Sequence, residues 1–151
     1  MSRVQVALNV SNVDQAVLFY SKLFNTQPAK RRPGYANFAI ADPPLKLVLI
    51  EGAGEPGSLN HIGVEVGSTG EVVTEAARLK NEGFELVHEP GVTCCYALQD
   101  KFWVNGADNR AWEIYTVLAD APQPAAEVAD CSTQGGGCST AEPTASDLRN
   151  L

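Results

Sequence analysis

Two adjacent thiols, Cys94 and Cys95, are the residues whose type and spacing most restrict the chemistry of this chain. A disulfide between neighbours would close a strained eight-membered ring, so the pair reads as two thiols. Vicinal thiolates are soft donors that chelate thiophilic centres, and trivalent arsenic suits them because it can form two bonds to sulfur and keep its third substituent. The plainer alternative is two small, half-buried strand residues. Consecutive strand residues face opposite ways, so joint chelation requires a loop or a bent strand here. Imidazole is scarce: His61 and His88 are the whole supply, too few for a histidine-rich metal site. Cys131 and Cys138 bracket Ser-Thr-Gln-Gly-Gly-Gly, a single thiol pair without zinc-ribbon spacing. Relay of arsenic or a soft metal, or incidental exposure, are both open readings for them.

The elements that position these groups must come from a chain of 151 residues, the size of one ordinary domain. With 44% hydrophobic and 19% charged residues the composition is globular, and no apolar run approaches a membrane span. A formal charge of -7 argues against a nucleic-acid surface. Met1–Val10 alternates apolar with polar residues and lacks the unbroken apolar region of a signal peptide, which points to the reducing cytoplasm. After Leu118 the composition shifts to Ala, Ser, Thr, Pro and Gly with no aromatic residue. Residues 119–151 therefore read as a low-complexity, disordered tail, and residues 1–118 as the folded domain.

Within that domain a shift of 56 positions lays Gln5-Val-Ala-Leu-Asn-Val over His61-Ile-Gly-Val-Glu-Val, and brings Val17 onto Val73 and Leu23 onto Leu79. Each copy pairs a period-2 strand with a helix. Helices are expected near Val13–Phe24, capped by Asn12, and near Gly70–Asn81, stopped by Gly83. Strands are expected at Ala29–Arg32, Tyr35–Ile40 and Leu45–Ile50 in the first half. In the second they fall at Glu85–His88, at Thr93–Leu98 with Lys101–Val104, and at Trp112–Val117. Pro33-Gly34, Pro90-Gly91 and Asn105-Gly106 read as turns. Both halves, about 1–56 and 57–118, thus read βαβββ, an α+β fold of two modules around a cleft.

Residues 6–24, Val-Ala-Leu-Asn-Val-Ser-Asn-Val-Asp-Gln-Ala-Val-Leu-Phe-Tyr-Ser-Lys-Leu-Phe, look like the opening strand and helix of the vicinal-oxygen-chelate superfamily. That superfamily includes glyoxalase I, extradiol dioxygenases and bleomycin-resistance proteins. The resemblance implies a metal-binding cleft whose ligands project from the first and last strand of each module. Gln5, His61 and Glu113 occupy such positions here. Aligning Lys46-Leu47-Val48-Leu49 with Trp112-Glu113-Ile114-Tyr115 puts Leu47 at the fourth position, hence three ligands; Glu51, four residues on, lies roughly 13 Å away. A carbonyl, an imidazole and a carboxylate on one face would leave room for substrate and dioxygen.

Pro33-Gly-Tyr-Ala-Asn-Phe-Ala-Ile-Ala-Asp-Pro-Pro, Leu59-Asn-His-Ile-Gly-Val-Glu-Val, Thr93-Cys-Cys-Tyr-Ala and Trp112-Glu-Ile-Tyr-Thr-Val together resemble the organoarsenical carbon-arsenic lyase and cadmium-induced-protein family. The resemblance implies an Fe(II) enzyme that uses O2 to cleave the C–As bond of trivalent methyl or aromatic arsenicals, releasing arsenite. It implies Gln5, His61 and Glu113 as metal ligands and Cys94 and Cys95 as the catalytic, substrate-holding thiols. Neither nucleic acid nor membrane enters this reading, and it leaves room for a homodimer. Gly91 is a candidate hinge for the thiol segment. Tyr35, Tyr96 and Tyr115 would line the pocket, donate a proton or pack in the core; His88 takes no part. Two rivals differ in class: sequestration of Cd(II) or As(III) by the thiols, and a glyoxalase-like isomerase that needs Glu51 or another group as fourth ligand. The deciding geometry is whether the sulfurs of Cys94 and Cys95 reach the face of the Gln5, His61 and Glu113 cluster.

Overall fold

The computed structural model describes residues 2–94 and 96–121; Cys95, Cys131 and Cys138 lie outside the described residues. Strand β1 (Arg3–Val10) shows how the sequence divides its faces. Gln5, Ala7 and Asn9 are buried on one side, while Val6, Leu8 and Val10 pack on the other against the apolar face of helix α1 (Val13–Leu23). Val13 and Val17 of α1 bury against Phe38, Leu47 and Leu49, each worth roughly 1.5–3 kcal/mol of transfer free energy. Asn12 caps this helix, its side chain accepting from the Gln15 N–H at 2.9 Å. Strands β2 (Lys30–Arg32), β3 (Tyr35–Ile40) and β4 (Leu45–Glu51) complete the first module at the expected places.

The second module runs β5 (Leu59–Glu65), α2 (Thr69–Asn81), β6 (Leu86–Cys94), β7 (Ala97–Asn105) and β8 (Ala111–Asp120). Ser68 caps α2, and Gly83 at φ 89° ends it, with Gly83 N–H donating to Lys80 O and Phe84 N–H to Leu79 O. Val72 and Ala76 of α2 pack on Phe102 and Ile114. The eight strands form one sheet in the order β2-β3-β4-β1-β5-β8-β7-β6. Each module places its first strand parallel to its last, and the two modules join where β1 pairs antiparallel with β5. Both helices lie on one face of this sheet, and the opposite face closes around a cavity.

Three expectations are corrected. Pro90-Gly91 is no turn: β6 continues through it, and the register shift between Glu89 and Val92 absorbs the left-handed Gly91 (φ 63°) as a bulge tied by Gly91 N–H to Asp100 Oδ1 at 2.8 Å. The run Thr93–Leu98 is no continuous strand, because the chain reverses between Cys94 and Ala97, which face each other as the last pair of β6 and β7. Finally, Leu47 does not occupy the position equivalent to Glu113. Val6 pairs with Leu47 where Ile62 pairs with Trp112, so Val48 matches Glu113, and Leu47 belongs to the apolar core beneath α1. β8 also carries on beyond Leu118, with Ala119 and Asp120 paired to Leu98 and Ala97.

Candidate metal and thiol site

Gln5 on β1, His61 on β5 and Glu113 on β8 come together at the junction of the modules, all at most 5% exposed. His61 Nε2 lies 3.3 Å from Glu113 Oε1, and Gln5 Nε2 lies 3.0 Å from His61 Nε2 and 2.5 Å from Glu113 Oε1. Three donors in adjacent positions around a cation, each about 2.1 Å from it, would be spaced by roughly 3 Å, so these side chains fit a divalent ion once the Gln5 amide is turned to present its oxygen. Among the described residues no cluster of three His, Cys, Asp or Glu forms; the amide of Gln5 supplies the third donor.

The imidazole is oriented from behind. His61 Nδ1 is 2.7 Å from Asn60 Oδ1, and Asn60 Nδ2 donates to Asn9 Oδ1 at 2.8 Å. That carbonyl can hold a proton on Nδ1, which would leave the Nε2 lone pair available to a bound cation. Glu113 is kept anionic despite complete burial: burial pushes its pKa up, but His61 and the ammonium of Lys101 more than compensate and hold it below the usual carboxylate range, with Cys94 opposing weakly. Lys101 Nζ is 3.5 Å from Glu113 Oε2 and 3.6 Å from Glu89 Oε2, with Trp103 beside it. Gly63 makes room for this packing, since a Cβ there would stand 2.4 Å from Glu113 Cγ.

A cavity of about 210 Å³ opens over the cluster. Its walls include Val48, Tyr35 and Asn37 from the first module and Cys94, Ala97 and Gln99 from the second. Cys94 is buried and is a thiol rather than half of a disulfide. It therefore shares one cavity with Gln5, His61 and Glu113. The turn that follows Cys94 is anchored to the first module: Tyr96, left-handed at φ 63°, packs its ring 5.0 Å from that of Tyr35, and its carbonyl accepts from Lys30 Nζ at 3.0 Å. Deeper in, Tyr115 donates to Gln5 Oε1 and lies 3.3 Å from Glu65 Oε2. Burial, reinforced by Glu113 and Glu65, pushes the Tyr115 hydroxyl far above the ordinary phenol range, so it stays protonated.

Of the other residues singled out from sequence, His88 is exposed against Phe102, away from the cluster. Glu51 is committed elsewhere, its Oε2 accepting the Val13 N–H at the start of α1 at 2.8 Å. The fourth position is Val48, which cannot ligate a cation, so the isomerase reading loses its ligand. Lys101, Asn60 and the Arg3–Glu65–Lys46 group were missed in the sequence. A usable signal existed for both lysines: each sits at the inward parity of a buried strand, as Lys46 does beside Leu45 and Leu47.

A chain with this sheet order and this cluster at the module junction has the architecture of metal-centred glyoxalases and dioxygenases. Residues 3–114 match the family model for the Glyoxalase/Bleomycin resistance protein/Dioxygenase superfamily, and the chain belongs to that superfamily. Among its relatives, the cadmium-induced protein CadI of Mycobacterium bovis is 62% identical over 120 residues, spanning 80% of this chain and 79% of that protein. The trivalent organoarsenical cleaving enzyme of Thermomonospora curvata is 58% identical over 122 residues, spanning 80% and 81%. The fold is also that of the Mn(II)-bound glyoxalase from Novosphingobium aromaticivorans, with a TM-score of 0.55 at 19% identity over 80% of this chain and 42% of that one. The 2,3-dioxygenase LapB from Pseudomonas sp. KL28 gives 0.58 at 15% identity, over 76% and 40%. No helix among the described residues is long and apolar enough to cross a membrane.

Proposed function

We propose that this protein is an Fe(II)-dependent, O2-using lyase that cleaves the carbon-arsenic bond of trivalent methyl or aromatic arsenicals and releases arsenite. The observation that carries the reading is the shared cavity: the Cys94 thiol lines the same space as Gln5, His61 and Glu113. The relatives named as organoarsenical cleaving enzymes support the substrate class.

Gln5, His61 and Glu113 would hold the metal. Fe(II) bound there supplies coordination positions for dioxygen and substrate. Cys94, with Cys95 next to it in sequence, captures the arsenical by exchanging its As–OH bonds for As–S bonds, each thiol proton leaving with a hydroxyl as water, which turns an encounter of three reactants into an oriented one. Val48 keeps the neighbouring position free of a competing ligand. Lys101 keeps Glu113 charged, and Trp103 at the back of His61 keeps water from the rear of the cluster. Cytoplasmic thiols remain reduced between turnovers.

The test loads the apoprotein with Fe(II) under anaerobic conditions, adds a trivalent methylarsenical, admits air and measures arsenite. Release that requires both iron and O2 is expected; release independent of either refutes the proposal. Cys94→Ser and Cys95→Ser should abolish turnover with iron still bound, whereas His61→Ala should lose the iron. Stoichiometric uptake of Cd(II) or arsenic without turnover would instead assign the protein to sequestration.

A further inference from the structure

Gln5 is an unusual donor because its two ends differ: the amide oxygen can bind a cation and the NH2 cannot. The side chain stands with its NH2 toward His61 Nε2 and Glu113 Oε1, at 3.0 and 2.5 Å, and its carbonyl toward the Tyr115 hydroxyl. That orientation suits a cluster without a cation, since an N–H then satisfies the buried Glu113 carboxylate. With a cation among the three donors the amide must turn over. Its NH2 then comes to Tyr115, whose oxygen must accept, so the hydroxyl proton needs a second acceptor. Glu65 Oε2 is in place for it, 3.3 Å away, fixed by Arg3 at 3.1 and 3.3 Å and by Lys46 at 3.3 Å.

We propose that Tyr115, backed by Glu65, is a positioning residue that holds the Gln5 amide with its oxygen toward the metal. It donates to Gln5 in the metal-free protein and accepts from Gln5 in the metal-bound one. Turning the hydroxyl from Gln5 toward Glu65 moves one hydrogen bond and ionises nothing. The inference rests on the metal-binding half of the function proposed above and needs neither arsenical nor dioxygen.

Tyr115→Phe keeps the ring and its contact with Lys46 at 5.1 Å, and removes only the hydroxyl. Calorimetric titration of the full-length apoprotein with Co(II) should give a dissociation constant raised about 10- to 100-fold. A purely structural role is separated by repeating the change on Gln5→Glu, since a carboxylate presents oxygen whichever way it turns. There the loss should shrink to within about threefold. An unchanged affinity in the Gln5 protein, or equal losses in both backgrounds, overturns the proposal. Wild-type protein gives a second measure if the variant does not fold. Side-chain amide protons of Gln5 should show nuclear Overhauser contacts to the His61 ring without metal and to the Tyr115 ring with Zn(II); the same contacts in both states overturn it. Wild-type protein that takes up no divalent cation removes the metal reading and this inference together, whereas normal uptake with an indifferent Tyr115→Phe removes the inference alone.

Discussion

Glu65 is the carboxylate that ties the mouth of the site to its floor, because it meets Arg3 and Lys46 on one side and Tyr115 on the other. Partial burial pushes its pKa up, but Arg3 and Lys46 outweigh that and hold it below the usual 4.5. The sign follows: a depressed folded pKa stabilises above 4.5, and the contribution is lost as pH falls through the folded value. Denaturant midpoints should therefore fall in acid for the wild type and fall less for Glu65→Gln; an equally steep acid limb in the variant would rule this out. Lys46 shows the complementary effect, burial lowering its pKa against the pull of Glu65. Apart from the inward parity of Lys46 and the candidate ring of Tyr115, this grouping was not legible in the sequence. Arg3, Lys46, Glu65 and Tyr115 come from four strands that are adjacent only once the register of β4, β1, β5 and β8 is known.

At the level of elements, β5 and β8 run parallel with Gly63 opposite Glu113, and the absence of a side chain at Gly63 lets the carboxylate stem lie against the neighbouring strand. A Cβ there would also stand 2.6 Å from the Glu113 carbonyl oxygen. Gly63→Ala should cost about 1–3 kcal/mol in chemical denaturation. It should also weaken Co(II) binding about tenfold or more, though every donor is retained. Wild-type affinity in a folded Gly63→Ala protein would show that the close approach is dispensable. The helices, the Asn12 cap, the Gly83 stop and the first three connecting strands were readable because each rests on local chemistry, whereas the Ser68 cap of α2 was not read. The second module was misread where that chemistry is ambiguous. Pro-Gly signals a turn or a bulge equally, and only the pairing of Glu89 with Lys101 and Val92 with Gln99 decides between them. The assignment of Leu47 failed for a related reason. A single shift cannot align both ends of the modules, since β6 and β7 have nine residues each against three and six in β2 and β3.

Across the whole molecule, the thiol turn is held by the end of the last strand. Asp120 pairs with Lys30 and Arg32, and Ala121 N–H donates to the Tyr96 carbonyl at 2.9 Å. A chain ending at Ala121 should keep wild-type Co(II) affinity and arsenite release. One ending at Leu118 should keep the metal but lose much of its turnover, because Asp120 no longer anchors Lys30 and Arg32 beside the turn. Loss of activity in the chain ending at Ala121 would give residues 122–151 a direct role. The two-module organisation itself was visible in the repeat, and so was the kinship of Gln5 and His61. Their convergence with Glu113 and Cys94 on one cavity required the sheet to be assembled.

The approximate twofold that relates Gln5 to His61 also relates Val48 to Glu113. Two identical halves would make the cluster look the same from either module. Val48 breaks that equivalence, and it does so on the side that faces Tyr35, Asn37 and Cys94. The site thereby acquires a front and a back: Lys101 and Trp103 stand against the carboxylate side, and Val48 lines the cavity on the other.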